Sequence, residues 1–218
     1  MSGLSTSPKL VKGGIVLVDP QTAAVRKVVA LQYNPEKMSR TFQVKRMVEG
    51  ADHAEALRLT GPAVETYSIE ADIDAADKLE FPDQHSATVA AGIAPEIAVL
   101  ESLVNPKVAD LRAYEQLANA GTLEIAPVEG DLQLLVWGPN RIVPGNVTEF
   151  SVNEEAYDPQ LNPIRAKVTI GFRVLTVDDL GYDSKGGGLF MAYLEAREKL
   201  ASKAATFGFE TLGIGGVT

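Results

Sequence analysis

The residue pattern of this chain predicts an α+β fold: an antiparallel β-sandwich or barrel with a helical insertion and a C-terminal helix. Three observations lead there. Ile164, Ala166, Val168, Ile170, Phe172 and Val174 alternate with Arg165, Lys167, Thr169, Gly171 and Arg173, a period of two that suits a half-buried strand and no helix. Tyr67, Ile69, Ala71 and Ile73 alternate in the same way with Thr66, Ser68, Glu70, Asp72 and Asp74. Between these two strands, over about residues 86–121, the sequence reads as helical.

The elements follow in order. Residues 15–18 and 25–33 form a hairpin around Asp19-Pro20-Gln21-Thr22, a run of turn formers. Residues 38–47 are a strand with mixed faces, and 48–64 a loop or extended arm carrying Gly50 and Gly61-Pro62. Pro95 suits the first turn of a helix that runs to Val104 and stops before Asn105-Pro106. A second helix spans about 107–120 and ends at Gly121, a C-terminal cap. Residues 132–137 are apolar enough for a strand buried on both faces, and 141–153 form a strand broken at Pro144-Gly145. After Asp178-Asp179, Gly186-Gly187-Gly188 reads as a flexible hinge. A helix follows with Phe190, Tyr193, Leu194, Arg197, Leu200, Ala201 and Ala204 on one face. Residues 208–218 form a glycine-rich tail, mobile or ordered by assembly. The chain therefore divides into a β-domain over residues 1–180 and an appendage over 181–218.

Composition removes whole classes of function. The chain has 218 residues, 45% of them hydrophobic, enough to bury a real core. A formal charge of −9 argues against nucleic acid and anionic lipid as partners, since both need a positive surface. With no cysteine, disulfides, thiolate nucleophiles and thiolate zinc sites are excluded. No apolar run approaches the roughly 18–20 residues of a membrane span, and the N-terminus has no secretory pattern. The expected location is the cytoplasm.

The candidate chemistry is thin. Asp72 and Asp74, with Glu70 before them, project from one strand face; a metal would need their oxygens to converge, and a solvated face is the plainer reading. Glu154-Glu155 and Asp178-Asp179 are neighbours in sequence and so point apart, unlike a hydrolase's carboxylate pair. Lys185 precedes its glycines, which is the wrong order for a phosphate-binding loop. His53 and His85 lie in loop-like segments with no partner at a catalytic or zinc spacing, and Trp137 reads as core or as a lip residue on Pro139. No catalytic residue, cofactor or metal is expected. A carboxylate- or metal-dependent hydrolase using Asp72, Asp74 and Glu154 stays as an alternative, as does a small-ligand-binding sandwich.

Three ordered stretches carry a resemblance. Leu31-Gln32-Tyr33-Asn34-Pro35-Glu36 is followed by Ser39 and Phe42. Gly61-Pro62, Glu65-Thr66, Ile69-Glu70, Ile73-Asp74-Ala75, Asp77 and Leu79-Glu80 form the second. The third runs from Trp137-Gly138 through Val147-Thr148, Glu154 and Tyr157-Asp158 to Leu161-Asn162-Pro163-Ile164-Arg165-Ala166. Together they resemble the tube-like domain at the N-terminus of the LysM-containing baseplate protein of contractile injection systems, the phage-tail-like particles. The resemblance covers about residues 15–180, and no LysM module follows it.

That resemblance implies a β-barrel or sandwich of phage tail-tube type. It further implies a ring, hexameric in such particles, placed between the inner tube and the spike or hub. Expected partners are other copies of the chain and the neighbouring tube, hub and baseplate proteins. Candidate assembly surfaces are Tyr33, Asn34, Pro35, Glu36 and Arg40, with the acidic face of Glu70, Asp72 and Asp74 and the basic face of Arg165, Lys167 and Arg173. Those two faces would pair if their strands are neighbours, within or between subunits, or stand as separate solvated faces. The strand and polar arm over 38–64 are the candidate for ring stacking, with Gly50 and Gly61 as hinges.

Overall fold

Alternating strands of this length pair with one another, and in the computed structural model they do. It describes residues 10–46, 58–121 and 130–217. Among these residues there are seven strands: β1 (Gly14–Val18), β2 (Val25–Ala30), β3 (Met38–Gln43), β4 (Val64–Asp74), β5 (Leu132–Val136), β6 (Ile142–Tyr157) and β7 (Pro163–Val174). Six helices accompany them: α1 (Ala76–Leu79), α2 (Ser86–Ala91), α3 (Ala94–Glu101), α4 (Val108–Asn119), α5 (Val177–Leu180) and α6 (Lys185–Ala201). The fold is mixed α+β, with one antiparallel sheet in the order β2-β1-β5-β6-β7-β4-β3.

The sheet does not close into a barrel, and among the described residues there is no second sheet to make a sandwich. It does curl. Laid flat, seven strands would separate β2 from β3 by about 29 Å at ~4.8 Å per gap. Eight Cα steps join Ala30 to Met38, about 29 Å even when fully extended, and that connection bends. The side chain of Gln32, just past β2, donates to the Asp74 carbonyl at 2.7 Å and accepts from the Asp74 N–H at 3.2 Å. Tyr33 adds a 3.0 Å bond to Asp77. Side chains rather than ladder bonds therefore join the two ends of the sheet.

Inside the curl one core takes side chains from both ends of the sheet and from helices α3, α5 and α6. Tyr67, Ile69, Ala71 and Ile73 of β4 and the inward row of β7 meet Ile15, Leu17 and Val29 there, with Ile97 and Leu100 of α3 and Phe190 and Tyr193 of α6. A second cluster on the other side of β5 gathers Val18, Leu132, Leu134 and Leu175, with Leu180 and Leu189 against it. Strand β5 is thus buried on both faces, as its sequence, apolar except for Gln133, predicts. Gln133 is satisfied in this interior: it donates to Leu103 O and accepts from Val147 N, both at 2.7 Å, which provides for the amide at the β6 bulge. Helix α4 packs least, with no buried residue, and ends as expected beside Gly121 (φ 78°).

Several boundaries differ from the expectation. The strand over 25–33 stops at Ala30, where the chain leaves for β3. The strand over 38–47 ends at Gln43, followed by an isolated bridge from Arg46 to Leu59; Met47, Gly50, His53 and most of the arm lie outside the described residues. Pro144-Gly145 does not break β6, which runs for 16 residues. The Pro144 carbonyl accepts from Leu175, so the proline nitrogen faces the same side, beyond the last ladder pair Gly145–Val174, where no donor is required.

Nor is the glycine triplet a hinge. It forms the first turn of α6, capped by Ser184, whose hydroxyl accepts from Gly187 N at 2.8 Å. The glycines permit close approach: a Cβ at Gly187 would lie 2.0 Å from the Gly181 carbonyl, at the end of α5. A solvated hinge would make Gly187→Ala neutral or favourable by about 1 kcal/mol through helix propensity. The packed turn reverses the sign, and a loss of about 1–3 kcal/mol is expected from overpacking. Urea denaturation with an unchanged m-value measures it.

Candidate functional site

Antiparallel register brings the two charged faces together within one chain. Strands β4 and β7 pair so that Asp74 stands opposite Arg165 and Asp72 opposite Lys167. Arg165 Nε donates to Asp74 Oδ2 at 2.8 Å. Glu70 stands opposite Thr169, with no arginine or lysine across the ladder, and Arg173 stands opposite Thr66 and turns instead to Asp179 at 2.7 Å. Asp74 also accepts from the Ala76 N–H at 2.7 Å, which fixes the turn into α1. Its partial burial would raise the carboxyl pKa, but the Ala76 N–H and the Arg165 guanidinium outweigh that and hold it below the ordinary value.

The 31–36 segment is an anchor. Asn34 Oδ1 accepts from Gly13 N at 2.9 Å and its Nδ2 donates to Val11 O at 2.8 Å, pinning the chain entering β1. Tyr33 bonds to Asp77; Glu36 is exposed and Pro35 half-buried between them. Both aspartates of Asp178-Asp179 open α5. Asp179 completes a reciprocal cap with Thr176, and Asp178 accepts from Lys45 at 2.8 Å.

The densest polar arrangement surrounds a residue the sequence reading does not single out as a site. Glu65 lies two residues before Tyr67, in phase with the apolar row of β4, and is 2% exposed. Tyr193 of α6 donates to its Oε1 at 2.8 Å, and the Tyr193 and Tyr67 hydroxyls share a bond of 3.0 Å. Arg197, one helical turn after Tyr193, reaches Oε2 at 3.3 Å, and Arg40 lies 3.6 Å from Oε1. Phe42, opposite Glu65 in the β3–β4 ladder, has both guanidinium groups 5.0 Å from its ring centre. Burial, then the Tyr67 and Glu65 contacts, push the Tyr193 hydroxyl pKa well above its ordinary value, so it is a neutral donor. Extending the alternation of β4 by one period would have found Glu65. Two of its partners, Tyr193 and Arg197, lie more than a hundred residues away and Arg40 comes from the neighbouring strand β3, and nothing local marks them.

Above this network is an open groove of about 640 Å³. Its lining includes Arg40, Arg141 and Arg197 together with Trp137, Leu194 and Leu200. The hydrolase candidates do not converge in that groove. Asp72 and Asp74 are on β4 and Glu154 is on β6 opposite Ala166, with β7 between them. Among the described residues no three His, Asp or Glu side chains form a group able to hold a metal ion. No described helix is long and apolar enough to cross a membrane. Comparison with protein-family models and with curated protein sequences returned no match to this chain.

Two outcomes follow. Tyr193→Phe deprives Glu65 and Tyr67 of a buried partner and should cost about 1–3 kcal/mol in urea denaturation. Asp74 has a depressed folded-state pKa, so its contribution is complete above the unfolded carboxylate value, near 3.8, and is lost as pH falls through the lower folded value. Asp74→Asn should therefore flatten the acid limb of stability against pH, the Arg165 pairing itself supplying under about 1 kcal/mol because it is partly exposed. An unchanged acid limb would count against the assignment.

Proposed function

We propose that the chain is a structural component of a contractile injection system, forming a ring, hexameric by the resemblance, that joins the inner tube to the baseplate or spike hub. The observation that carries this reading is the ordered run of three motifs, each falling on a structural tie. Asn34 pins the entry to β1, Glu65 sits at the centre of the buried network, and Asp158 accepts from the Gln160 and Asn162 amides, both at 2.8 Å, in the β6–β7 turn.

The open sheet supports the reading. Among the described residues, strands β2 and β3 each pair on one side only, which leaves two edges able to add a neighbour's strand. Two different edges make a heterologous contact, the kind that closes into a cyclic ring. Tube, hub and baseplate proteins are the further partners on this reading. It assigns no catalytic step.

The groove beside α6 favours a second reading, a small-ligand-binding domain that works as a monomer. Negative-stain microscopy of particles reconstituted with the chain, together with light scattering of the purified protein, separates the two. Rings and a multiple of the 23.3 kDa chain mass are expected. A monomer at every concentration, with no density in the baseplate or tube, would sink the assembly reading.

A further inference from the structure

The groove and the segment after α6 are complementary, and both are open. Arg40 and Arg197 on the groove wall are engaged by Glu65, whereas Arg141, in the β5–β6 turn, has no carboxylate partner among the described residues. Trp137, Leu194 and Leu200 provide an apolar floor. Beyond α6, residues 202–217 are exposed throughout. They present Phe207 (78% exposed), Phe209, Leu212 (72%) and Val217 (82%) around one acidic residue, Glu210, held in a short 3-10 turn over Phe209–Leu212. With Ile214, that makes five large apolar side chains in eleven residues, which have no use in water.

We propose that the groove of each subunit receives the 207–212 segment of a second copy of this chain, with Phe209 and Leu212 on the apolar floor and Glu210 against Arg141. The assignment rests on the homo-oligomer of the preceding reading and specifies one of its contacts. Three observations select this occupant. The groove is lined by three arginines against one carboxylate, Glu198, in a chain of net charge −9, and the segment offers a carboxylate flanked by apolar groups. The segment leaves from the groove's own edge, since Leu200 and Ala201 line it. Residues 202–208 then reach about 25 Å when extended, enough to cross to an adjacent subunit. Finally, the chain's own segment leaves its own groove open.

Two full-length variants and their mixture test this contact. Phe209→Ser with Leu212→Ser removes the donor at exposed positions. Arg141→Glu with Ala201→Glu blocks the acceptor. Light scattering across a concentration series should show self-association weakened at least tenfold in each variant, with unchanged far-ultraviolet circular dichroism. An equimolar mixture should recover a complex, because one chain keeps the groove and the other keeps the segment. If the groove variant loses its fold, a labelled peptide of residues 203–217 titrated onto the donor variant replaces it, and saturable binding is expected.

Wild-type masses in both variants would overturn the proposal, as would a mixture that stays dissociated, a peptide that does not bind, or a monomeric wild type with its segment folded into its own groove. Rings that persist in particles while the variants behave as wild type overturn only this contact. Absent rings with a recovered mixture overturn only the function reading.

Discussion

Strand β7 is the constraint on which the rest of the molecule depends. Ala166, Val168, Ile170, Phe172 and Val174 are each at most 1% exposed, and β7 pairs with β6 on one side and β4 on the other over nearly its whole length. Burying each of the larger side chains contributes about 1.5–3 kcal/mol, and a one-residue slip would turn the entire row outward. Register is therefore set here for three strands at once. The Asp74–Arg165 pair, the Gln32–Asp74 bonds across the curl and the placement of Glu65 beneath α6 are all consequences of it.

Glu65 shows the cost of placing a charge within such a row. Removing a carboxylate from water is tolerable only when its lone pairs are met. Tyr193 and Arg197 provide partners from the helix, and Arg40 from the edge strand. The same contacts orient α6 on the sheet and leave its C-terminal turns forming one wall of the groove. A helix attached only by apolar contacts could rotate about its axis. A helix whose Tyr193 and Arg197 both address one buried carboxylate has a single orientation.

Among the described residues, some surfaces find no cover from the rest of the chain. Strands β2 and β3 end the sheet without closing it, α4 has no buried residue although a twelve-residue helix is marginal by itself in water, and the segment after α6 is exposed. A chain with open edges, a helix with no buried residue and an exposed apolar segment fits a building block whose work is done by contacts between chains. That is the sense of the assembly reading proposed above.

The strands were legible because each records its environment in adjacent residues. The alternation of β4 and β7, the apolar run of β5, the hairpin at Asp19-Pro20 and the cap at Gly121 are local signals, and so is the exclusion of cysteine chemistry by composition. What required the tertiary structure was anything set by distant partners. Pro144 reads as a break until the end of β7 makes its missing donor harmless, and Gly187 reads as a hinge until the Gly181 carbonyl is placed beside it. Seven strands were foreseeable, but whether they would close was not, because closure depends on where β2 and β3 arrive after the sheet has curled. The Glu65 network belongs to the same class: residues 40, 65, 67, 193 and 197 meet only because register and helix packing carry them to one point. Local sequence determined the elements and their faces; the fold alone decided which of those faces met.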